Sequence, residues 1–482
     1  RTRHTRDRFQ PQEVSDRQST PLILNTFSNY LTAVADFVCG YPLFFILIGG
    51  GLYLFIRSGA VSLRRLPEAV RQLRQRDSSD GTAGQISSLQ ALCSVTAATI
   101  GMGNIAGVAI ALVVGGPGAI FWMWVSALVG MCTKYHEGVL AIAYRRTLPD
   151  GSTRGGSMYI IENALGPRWR WLAVTFAVAG MFGTLCIMNA NQLAEASVAI
   201  ITPHSAGSWL SVAAQTVSMP QSTFIRLLVG ITLALITALV VLGGIRRIAR
   251  VASVMVPFMV GIYFIAVVYI LIDHYQQVPA ALQSIFSEAF NLRAGFGALI
   301  GTALIGARRA ALVNDAGVGT ATIMHSESWN TSPVREGLVA MLGPGIDSGF
   351  VCTLTALALL VAGDFSGVDG VKGLEIAMQA FGNAIPYGEY ILMLIVLCFG
   401  LSSLFSYSFY GNRCATYLFG ERRARIHTWF FIITLILFAV VPLQAAVGLC
   451  DLLYAFMAIP TMITVLLLSN KVRSLTRSHF SH

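Results

Sequence analysis

The amino-acid sequence predicts an all-α protein that crosses a membrane many times. Of its 482 residues, 55% are hydrophobic and only 12% are charged, whereas soluble domains carry about 25% charged residues. Eleven apolar segments approach the roughly 20 residues that a helix needs to cross a bilayer. These predicted spans lie at about 35–57, 87–113, 117–144, 172–200, 224–243, 251–272, 294–307, 336–361, 388–411, 427–443 and 446–469.

The predicted spans follow one another closely, which leaves no room for a separate soluble domain. Residues 35–470 are therefore expected to form one membrane domain. Residues 1–34 are polar and lack apolar periodicity, so we expect a disordered N-terminal tail. Residues 471–482 are expected to form a short basic tail in the cytoplasm.

The distribution of basic residues predicts the orientation of the chain. Of the 33 lysines and arginines, 24 fall in one set of alternate loops and 8 on the opposite side. Because cytoplasmic loops are enriched in basic residues, the N-terminus is expected outside and the C-terminus inside. Five arginines in the first 17 residues favour the reverse, but the six internal loops outweigh them. The net charge of +10 thus reflects topology rather than a nucleic-acid partner.

The sequence lacks the motifs of several other classes of protein. The eight cysteines lie in or beside apolar segments without a CxxC pair, which is typical of small buried hydrophobic residues. HExxH, GxSxG, clustered histidines and paired midplane carboxylates are absent, so we expect no enzyme and no cofactor. A channel is also disfavoured, because no repeated filter segment is found.

The second span contains the most informative motif, Gly101-Met102-Gly103-Asn104. Glycine weakens a helix interior by about 1 kcal/mol relative to alanine, and each freed peptide group in lipid needs a partner. A helix broken here would present NH groups to a carboxylate at one half-helix end and carbonyls to a small cation at the other. The alternative is a face of small residues that packs against another helix.

The seventh span is also rich in glycine, at Gly295, Gly297 and Gly301. It lies five spans after the second, so the two interruptions suggest a weak inverted symmetry. Paired interruptions in two halves of a membrane protein point to a binding site at the midplane.

Polar side chains in other spans are further candidates. Lys134 and Glu137 share one face of the third span and either serve function or form a structural pair. In the fourth span a cluster of amides includes Asn189, the candidate closest to the midplane. Several serines and Tyr407 crowd the ninth span, where hydroxyls suit either Na⁺ or interhelical hydrogen bonds. The residues Arg308, Arg309, Asn314 and Asp315 form either a solvated loop or an inner gate.

Four blocks of this sequence resemble the alanine or glycine:cation symporter family, whose fold is that of the bacterial leucine transporter. The longest is residues 115–133, GGPGAIFWMWVSALVGMCT, which is similar to the family signature almost throughout. The others are residues 101–108, residues 314–319 with 332–338, and residues 409–414. The resemblance covers about residues 35–470.

The resemblance implies one extra N-terminal helix followed by two inverted repeats of five helices, with discontinuous second and seventh helices. It implies that Met102, Gly103 and Asn104 hold a substrate carboxylate, and that Asn189, Tyr407, Gly295 and Gly297 line the rest of the pocket. It also implies a Na⁺ site. Its ligands would be the carbonyls of Ala97 and Ile100 and the hydroxyls of Ser402 and Ser403.

The sequence departs from the family pattern in and around this implied site. Family members usually have threonine at Met102, glutamine at Asn189, tryptophan at Tyr407, glutamate at Asp315 and alanine at Cys132. The first three positions would touch the substrate. A pocket altered in this way accepts a larger neutral amino acid or places alanine differently.

The resulting hypothesis is a Na⁺-driven symporter for a small neutral amino acid, alanine or glycine in either enantiomer. It would work by alternating access in a bacterial or archaeal cytoplasmic membrane, as a monomer or weak oligomer surrounded by lipid. The alternatives are coupling to protons and a larger neutral substrate such as glutamine or serine.

Overall fold

The computed structural model describes residues 34, 37–38, 41–74, 86–148, 153–202, 209–290, 296–363, 373–441 and 443–481. The expected N-terminal tail, apart from residue 34, lies outside the described residues, and so does Gly295.

The first four predicted spans each contain described helices. The first span comprises α1 (Tyr41–Phe44), a π-helical turn (Phe45–Gly49) and α2 (Gly50–Arg57), followed by α3 (Val61–Arg64) and α4 (Leu66–Arg74). The second comprises α5 (Ser88–Thr99), a 3-10 turn (Met102–Asn104) and α6 (Ala106–Gly115), and the third is α7 (Gly118–Ala143). A short antiparallel hairpin of β1 (Arg146–Thr147) and β2 (Thr153–Arg154) precedes α8 (Ser157–Ile160). The fourth span comprises α9 (Arg170–Gly183) and α10 (Ile187–Ile201).

Described helices also occupy the seven later predicted spans. They begin with α11 (Trp209–Thr216), α12 (Gln221–Val241), α13 (Gly244–Asp273), α14 (Val278–Ala289), α15 (Phe296–Asn314) and α16 (Thr320–His325). The eighth span comprises α17 (Pro333–Ala340), α18 (Leu342–Pro344), a π-helical turn (Gly345–Val351) and α19 (Cys352–Ala362). The last helices are α20 (Gly373–Ala384), α21 (Gly388–Phe419), α22 (Glu421–Val440), α23 (Leu443–Leu467) and α24 (Ser469–Phe480).

Length and hydropathy identify the molecule as a multi-pass membrane protein. In the described part of the chain, six helices are long and apolar enough to cross a bilayer, or up to eight if each of two bent pairs is one span. Among these six helices, α21 of the ninth span is the most enclosed, since 72% of its apolar window is buried inside the protein. Only 33% of the corresponding windows of α12 and α13 is buried, so these helices lie at the periphery of the bundle.

The seventh span differs from the prediction. Its helix α15 continues without interruption through Gly297 and Gly301 to Asn314, so the predicted span 294–307 was too short. The segment that we expected as a solvated loop or an inner gate is buried, which excludes the solvated loop, and it interrupts the helix: Asp315, Gly317 and Gly319 have left-handed backbones with φ of 52°, 88° and 92°. A helix tolerates isolated glycines when neighbours support it, whereas three left-handed residues within five end it.

Two helices outside the predicted spans, α14 and α20, pack against the second and third spans through close glycine contacts. A Cβ at Gly118 would lie 2.6 Å from the backbone nitrogen of Ala289 in α14. A Cβ at Gly373 in α20 would lie 2.2 Å from the carbonyl oxygen of Ala106. Both helices are too short to cross a bilayer, which is why a search for apolar segments of spanning length missed them.

Gly306 fixes the distance between the third and seventh spans, and its replacement should separate them. An added Cβ would lie 2.1 Å from the carbonyl oxygen of Ala119, so we expect Gly306→Ala to destabilise the fold by about 1–3 kcal/mol. The matched control is Gly301→Ala in the same helix, where a Cβ meets nothing within 4 Å. In thermal unfolding in detergent, Gly306→Ala should have a lower transition temperature than Gly301→Ala. Equal transition temperatures for the two variants would contradict this packing.

Candidate functional site at two broken helices

The second span breaks between Thr99 and Ala106. Ile100 and Gly101 have extended backbones, and the helices on either side are bent by 64° relative to each other. In an unbroken helix the NH of Gly101 would donate to the carbonyl of Ala97. Here it donates instead to Oδ1 of Asn104, at 3.0 Å. The last carbonyls of α5 are therefore available to other partners.

Two serines of the ninth span approach these released carbonyls. The Ser402 hydroxyl lies 3.0 Å from the Ala97 oxygen, and the Ser403 hydroxyl lies 3.2 Å from Ala97 O and 3.1 Å from Ala98 O. Ser403 Oγ is also 3.1 Å from the carbonyl oxygen of Phe399. A hydroxyl has one proton and can satisfy only one of these acceptors at a time. The result is a buried concentration of oxygen atoms, the donor type that hard cations prefer.

The structure thus brings together three of the four predicted Na⁺ ligands, Ala97, Ser402 and Ser403. The fourth, Ile100, is fully buried and directly precedes Gly101. A Cβ at Gly101 would lie 3.1 Å from Ser403 Oγ, so the break itself runs close to the serines.

Asn104 uses both ends of its amide within the protein. Its Oδ1 accepts from Gly101, and its Nδ2 donates to Oδ1 of Asp347 in the π-helical turn of the eighth span. Both side chains have no exposed surface, and Asp347 Oδ2 has no hydrogen-bond partner among the described residues. We did not predict Asp347 as a site residue. The available signal was a single aspartate within an otherwise apolar span, which is a functional candidate by default.

The break in the seventh span is held from two sides. Tyr407 of the ninth span donates to Asp315 Oδ2 at 2.7 Å. Oε1 of Glu137, in the third span, accepts from the NH groups of Gly317 at 3.0 Å and Gly319 at 3.2 Å. Such bonds to a charged acceptor are about twice as strong as neutral ones. The ninth span therefore contacts both breaks, because Tyr407 follows Ser403 by four residues on the same helical face.

Lys134 and Glu137 form the buried pair that the sequence suggested. Lys134 Nζ lies 3.9 Å from Glu137 Oε2, with side-chain exposures of 1% and 0%. Glu137 also binds the backbone of the seventh span, so the pair belongs to the support of the break.

The two breaks lie against each other. A Cβ at Gly103 would come within 3.2 Å of Val313, which precedes the seventh-span break by two residues. Met102 is fully buried, and Tyr407 is 7% exposed. The site is therefore closed to solvent in this conformation.

The other predicted pocket residues are farther away or less constrained. Asn189 is half-buried in α10, three residues after Cys186, whose thiol lies 4.0 Å from the carbonyl oxygen of Ser403. Asn191 instead donates to the carbonyl oxygens of Phe438 and Val441 at the end of the tenth span. Gly297 lies 17 residues before Asn314 in one helix, about 25 Å along its axis. The structure does not bring it to the breaks.

An ion pair closes the bundle beyond the seventh-span break. Glu327, which follows α16, forms an ion pair with Arg413 of the ninth span at an N–O distance of 2.8 Å. Burial raises the pKa of the Glu327 carboxyl, and the Arg413 guanidinium opposes that rise. Arg308 and Arg309, which the sequence suggested as part of a loop or gate, are part of α15.

Two broken helices that meet inside a multi-pass membrane protein are the arrangement of a secondary transporter's binding site. The fold and the site thus define a membrane transporter rather than an enzyme. The model of the sodium:alanine symporter family matches residues 24–482. The chain belongs to the sodium:alanine symporter family.

Individual relatives agree with this assignment. The sodium/alanine symporter AgcS of Methanococcus maripaludis is 37% identical over 457 residues, which cover 94% of this chain and 97% of that protein. The probable sodium/glutamine symporter GlnT of Bacillus subtilis is 29% identical over 440 residues, covering 91% and 87%. The structure of MhsT in complex with L-phenylalanine shares the fold, with a TM-score of 0.54 and 14% identity over 82% of this chain and 98% of that one.

Removing Glu137 should release the seventh-span break. Glu137→Ala leaves two NH groups without their acceptor and Lys134 without its ion-pair partner, so we expect a loss of about 3–5 kcal/mol in unfolding free energy. Glu137→Gln keeps an amide oxygen for Gly317 and Gly319 and should be less destabilising than Glu137→Ala. Adding Lys134→Met to Glu137→Gln should recover stability, since it removes the uncompensated cation. Thermal unfolding of the four proteins tests this order, which is wrong if Glu137→Gln and Glu137→Ala are equally unstable.

Proposed function

We propose that this protein is a Na⁺-coupled symporter for a small neutral amino acid, alanine or glycine as either enantiomer. It would operate in a bacterial or archaeal cytoplasmic membrane with its N-terminus outside and its C-terminus inside. The observation that carries the proposal is the oxygen cluster of Ala97, Ala98, Ser402 and Ser403 at the second-span break. The name of the AgcS relative, a sodium/alanine symporter, supports the same cation and substrate.

In this proposal Na⁺ replaces the hydrogen bonds that the two serine hydroxyls make to the carbonyls of the second span. The two hydroxyls turn their lone pairs to the ion, and the carbonyls of Ala97 and Ile100 complete the ligand set. Bound Na⁺ then holds the second span against the ninth. The 3-10 turn that begins at Met102 keeps its first NH groups free of helical partners, so Met102 and Gly103 can bind a carboxylate there. Substrate affinity should rise with Na⁺, and Na⁺ affinity with substrate, by reciprocal linkage.

Alternating access is supported by the contacts that close the site. Met102 and Asn104 are fully buried. The Glu327–Arg413 pair joins the end of the seventh span to the ninth. We propose that opening toward the cytoplasm separates this pair, while opening outward leaves it intact.

A larger neutral substrate or proton coupling is the second candidate. The relative GlnT is named a probable sodium/glutamine symporter, and the unpartnered Oδ2 of Asp347 offers a buried position for a proton. Competition of labelled alanine uptake by glycine, serine and glutamine separates the substrates. Uptake driven by a proton gradient without Na⁺ would favour the second candidate.

The serine hydroxyls should carry the Na⁺ dependence. In proteoliposomes we expect alanine uptake to require an inward Na⁺ gradient, and the double change Ser402→Ala with Ser403→Ala to abolish that requirement together with most of the uptake. The control is Ser408→Ala on the same helix, where a buried hydroxyl donates only within its own helix, to Phe405 at 2.6 Å. Equal uptake by the wild type with and without a Na⁺ gradient would refute Na⁺ coupling.

The tyrosine that supports Asp315 should matter more than its neighbour. Tyr407→Phe removes the donor to a buried carboxylate, so we expect a loss of roughly 1–3 kcal/mol in the closed state and about a tenfold decrease in alanine uptake. Tyr410→Phe is the matched control, because Tyr410 is fully buried and its hydroxyl has no hydrogen-bond partner in the part of the chain that is described. Similar uptake by both variants would show that the Tyr407–Asp315 bond is dispensable.

A further inference from the structure

A cleft of about 490 Å³ lies where the first span and the C-terminal helix α24 meet, and its lining includes no residue of the two breaks. Five arginines line it: Arg57, Arg64, Arg65, Arg473 and Arg477. Its walls contain no aspartate or glutamate, and no described carboxylate lies within 4.0 Å of these guanidinium groups. The volume is typical of a small-molecule site. We refer to it as the arginine cleft.

Contacts between distant parts of the chain build this cleft. The α24 helix is bent by 55° from the preceding helix, which carries it across the end of the bundle. Arg65 lies over the ring of Phe480 at 3.7 Å, and Arg57 donates to the Asn470 side chain. On the floor, the Tyr135 hydroxyl is 2.7 Å from that of Thr476. The arginines are thus gathered by packing from both ends of the chain.

The charge of the cleft calls for an anion. Two unit charges 4 Å apart repel by about 1 kcal/mol in water and by several times that near a protein surface. Arg57 Nε is buried without a hydrogen-bond partner among the described residues. Guanidinium groups bind phosphate oxygens in pairs, so several arginines around one cleft suit a phosphate group.

The surroundings of the cleft favour a lipid as the source of that phosphate. The helices of its wall carry apolar side chains on their outer surface: Ile56 is 70% exposed, Leu63 49% and Tyr53 46%. Acyl chains can cover such residues while the headgroup enters the cleft. In the proposed orientation this end of the bundle faces the cytoplasmic leaflet, where basic pockets between helices bind anionic headgroups.

We propose that the arginine cleft binds the phosphate of an anionic phospholipid headgroup and thereby joins the first span to α24. The floor residue Tyr135 lies two positions from Glu137, which holds the seventh-span break. Occupancy of the cleft therefore stiffens the third span and increases transport. This effect on transport rests on the proposed function, and the choice of the cytoplasmic leaflet rests on the proposed orientation, whereas binding of an anionic headgroup by the arginines does not.

The direct test is retention of lipid by the purified full-length chain in native mass spectrometry. We expect phosphatidylglycerol to be retained over phosphatidylcholine. The triple variant Arg64→Gln, Arg473→Gln, Arg477→Gln should weaken phosphatidylglycerol binding roughly a hundredfold. The reason is that each substitution removes the attraction of one arginine for an anionic headgroup. The single variant Arg473→Gln should weaken it about fivefold, and the three side chains are exposed enough to change without loss of folding.

The matched control removes the same number of charges at the start of α22, with Arg422→Gln, Arg423→Gln and Arg425→Gln. It should bind phosphatidylglycerol as the wild type does. Equal binding by the two triple variants would overturn the proposal. Displacement of the lipid by inorganic phosphate at comparable concentration would overturn the lipid assignment in favour of a soluble phosphate compound.

In proteoliposomes, adding phosphatidylglycerol to phosphatidylcholine should accelerate alanine uptake by the wild type but not by the triple variant of the arginine cleft. If neither protein transports in any lipid while the binding difference persists, the proposed function fails and the lipid site stands.

Discussion

The structure depends on one constraint, that peptide groups released by breaking a helix in an apolar interior must find other partners. At the second span, Asn104 takes the NH of Gly101 and two serines approach the carbonyls of Ala97 and Ala98. At the seventh span, Glu137 takes the NH groups of two glycines. These polar residues therefore have a structural task, and the breaks can persist only because such groups are supplied to the released peptide groups.

The ninth span contacts both breaks and forms the ion pair with Glu327. Within twelve residues it presents Ser402 and Ser403 to the second-span break, Tyr407 to Asp315 and Arg413 to Glu327. It is also the most enclosed of the six long apolar helices in the described part of the chain. A displacement of this one helix changes the cation site, the seventh-span break and the closing ion pair together, which is what coupling between an ion and a substrate requires.

Most of the second-span break could be predicted from the sequence, because two glycines and an asparagine in an apolar segment have few structural uses. The seventh-span break could not be located in the same way. Glycine content pointed to Gly297 and Gly301, which the helix accommodates, while the charges of Arg308 and Arg309 suggested a loop. Left-handed geometry at Asp315 depends on tertiary partners, Tyr407 and Glu137, that are distant in sequence. Asp347 was missed because its significance arises only from its contact with Asn104.

The carboxylate of Glu137 joins the third span to the seventh. A single oxygen atom receives two peptide NH groups, from Gly317 and Gly319, and both would lose their acceptor at once if the third and seventh spans moved apart. We therefore expect these two spans to move together. The serine contacts to the second span are different, since one proton is shared among several acceptors and can be exchanged at little cost. During a conformational change we expect the second span to separate from the ninth at the serine contacts, while the third and seventh spans remain joined by Glu137.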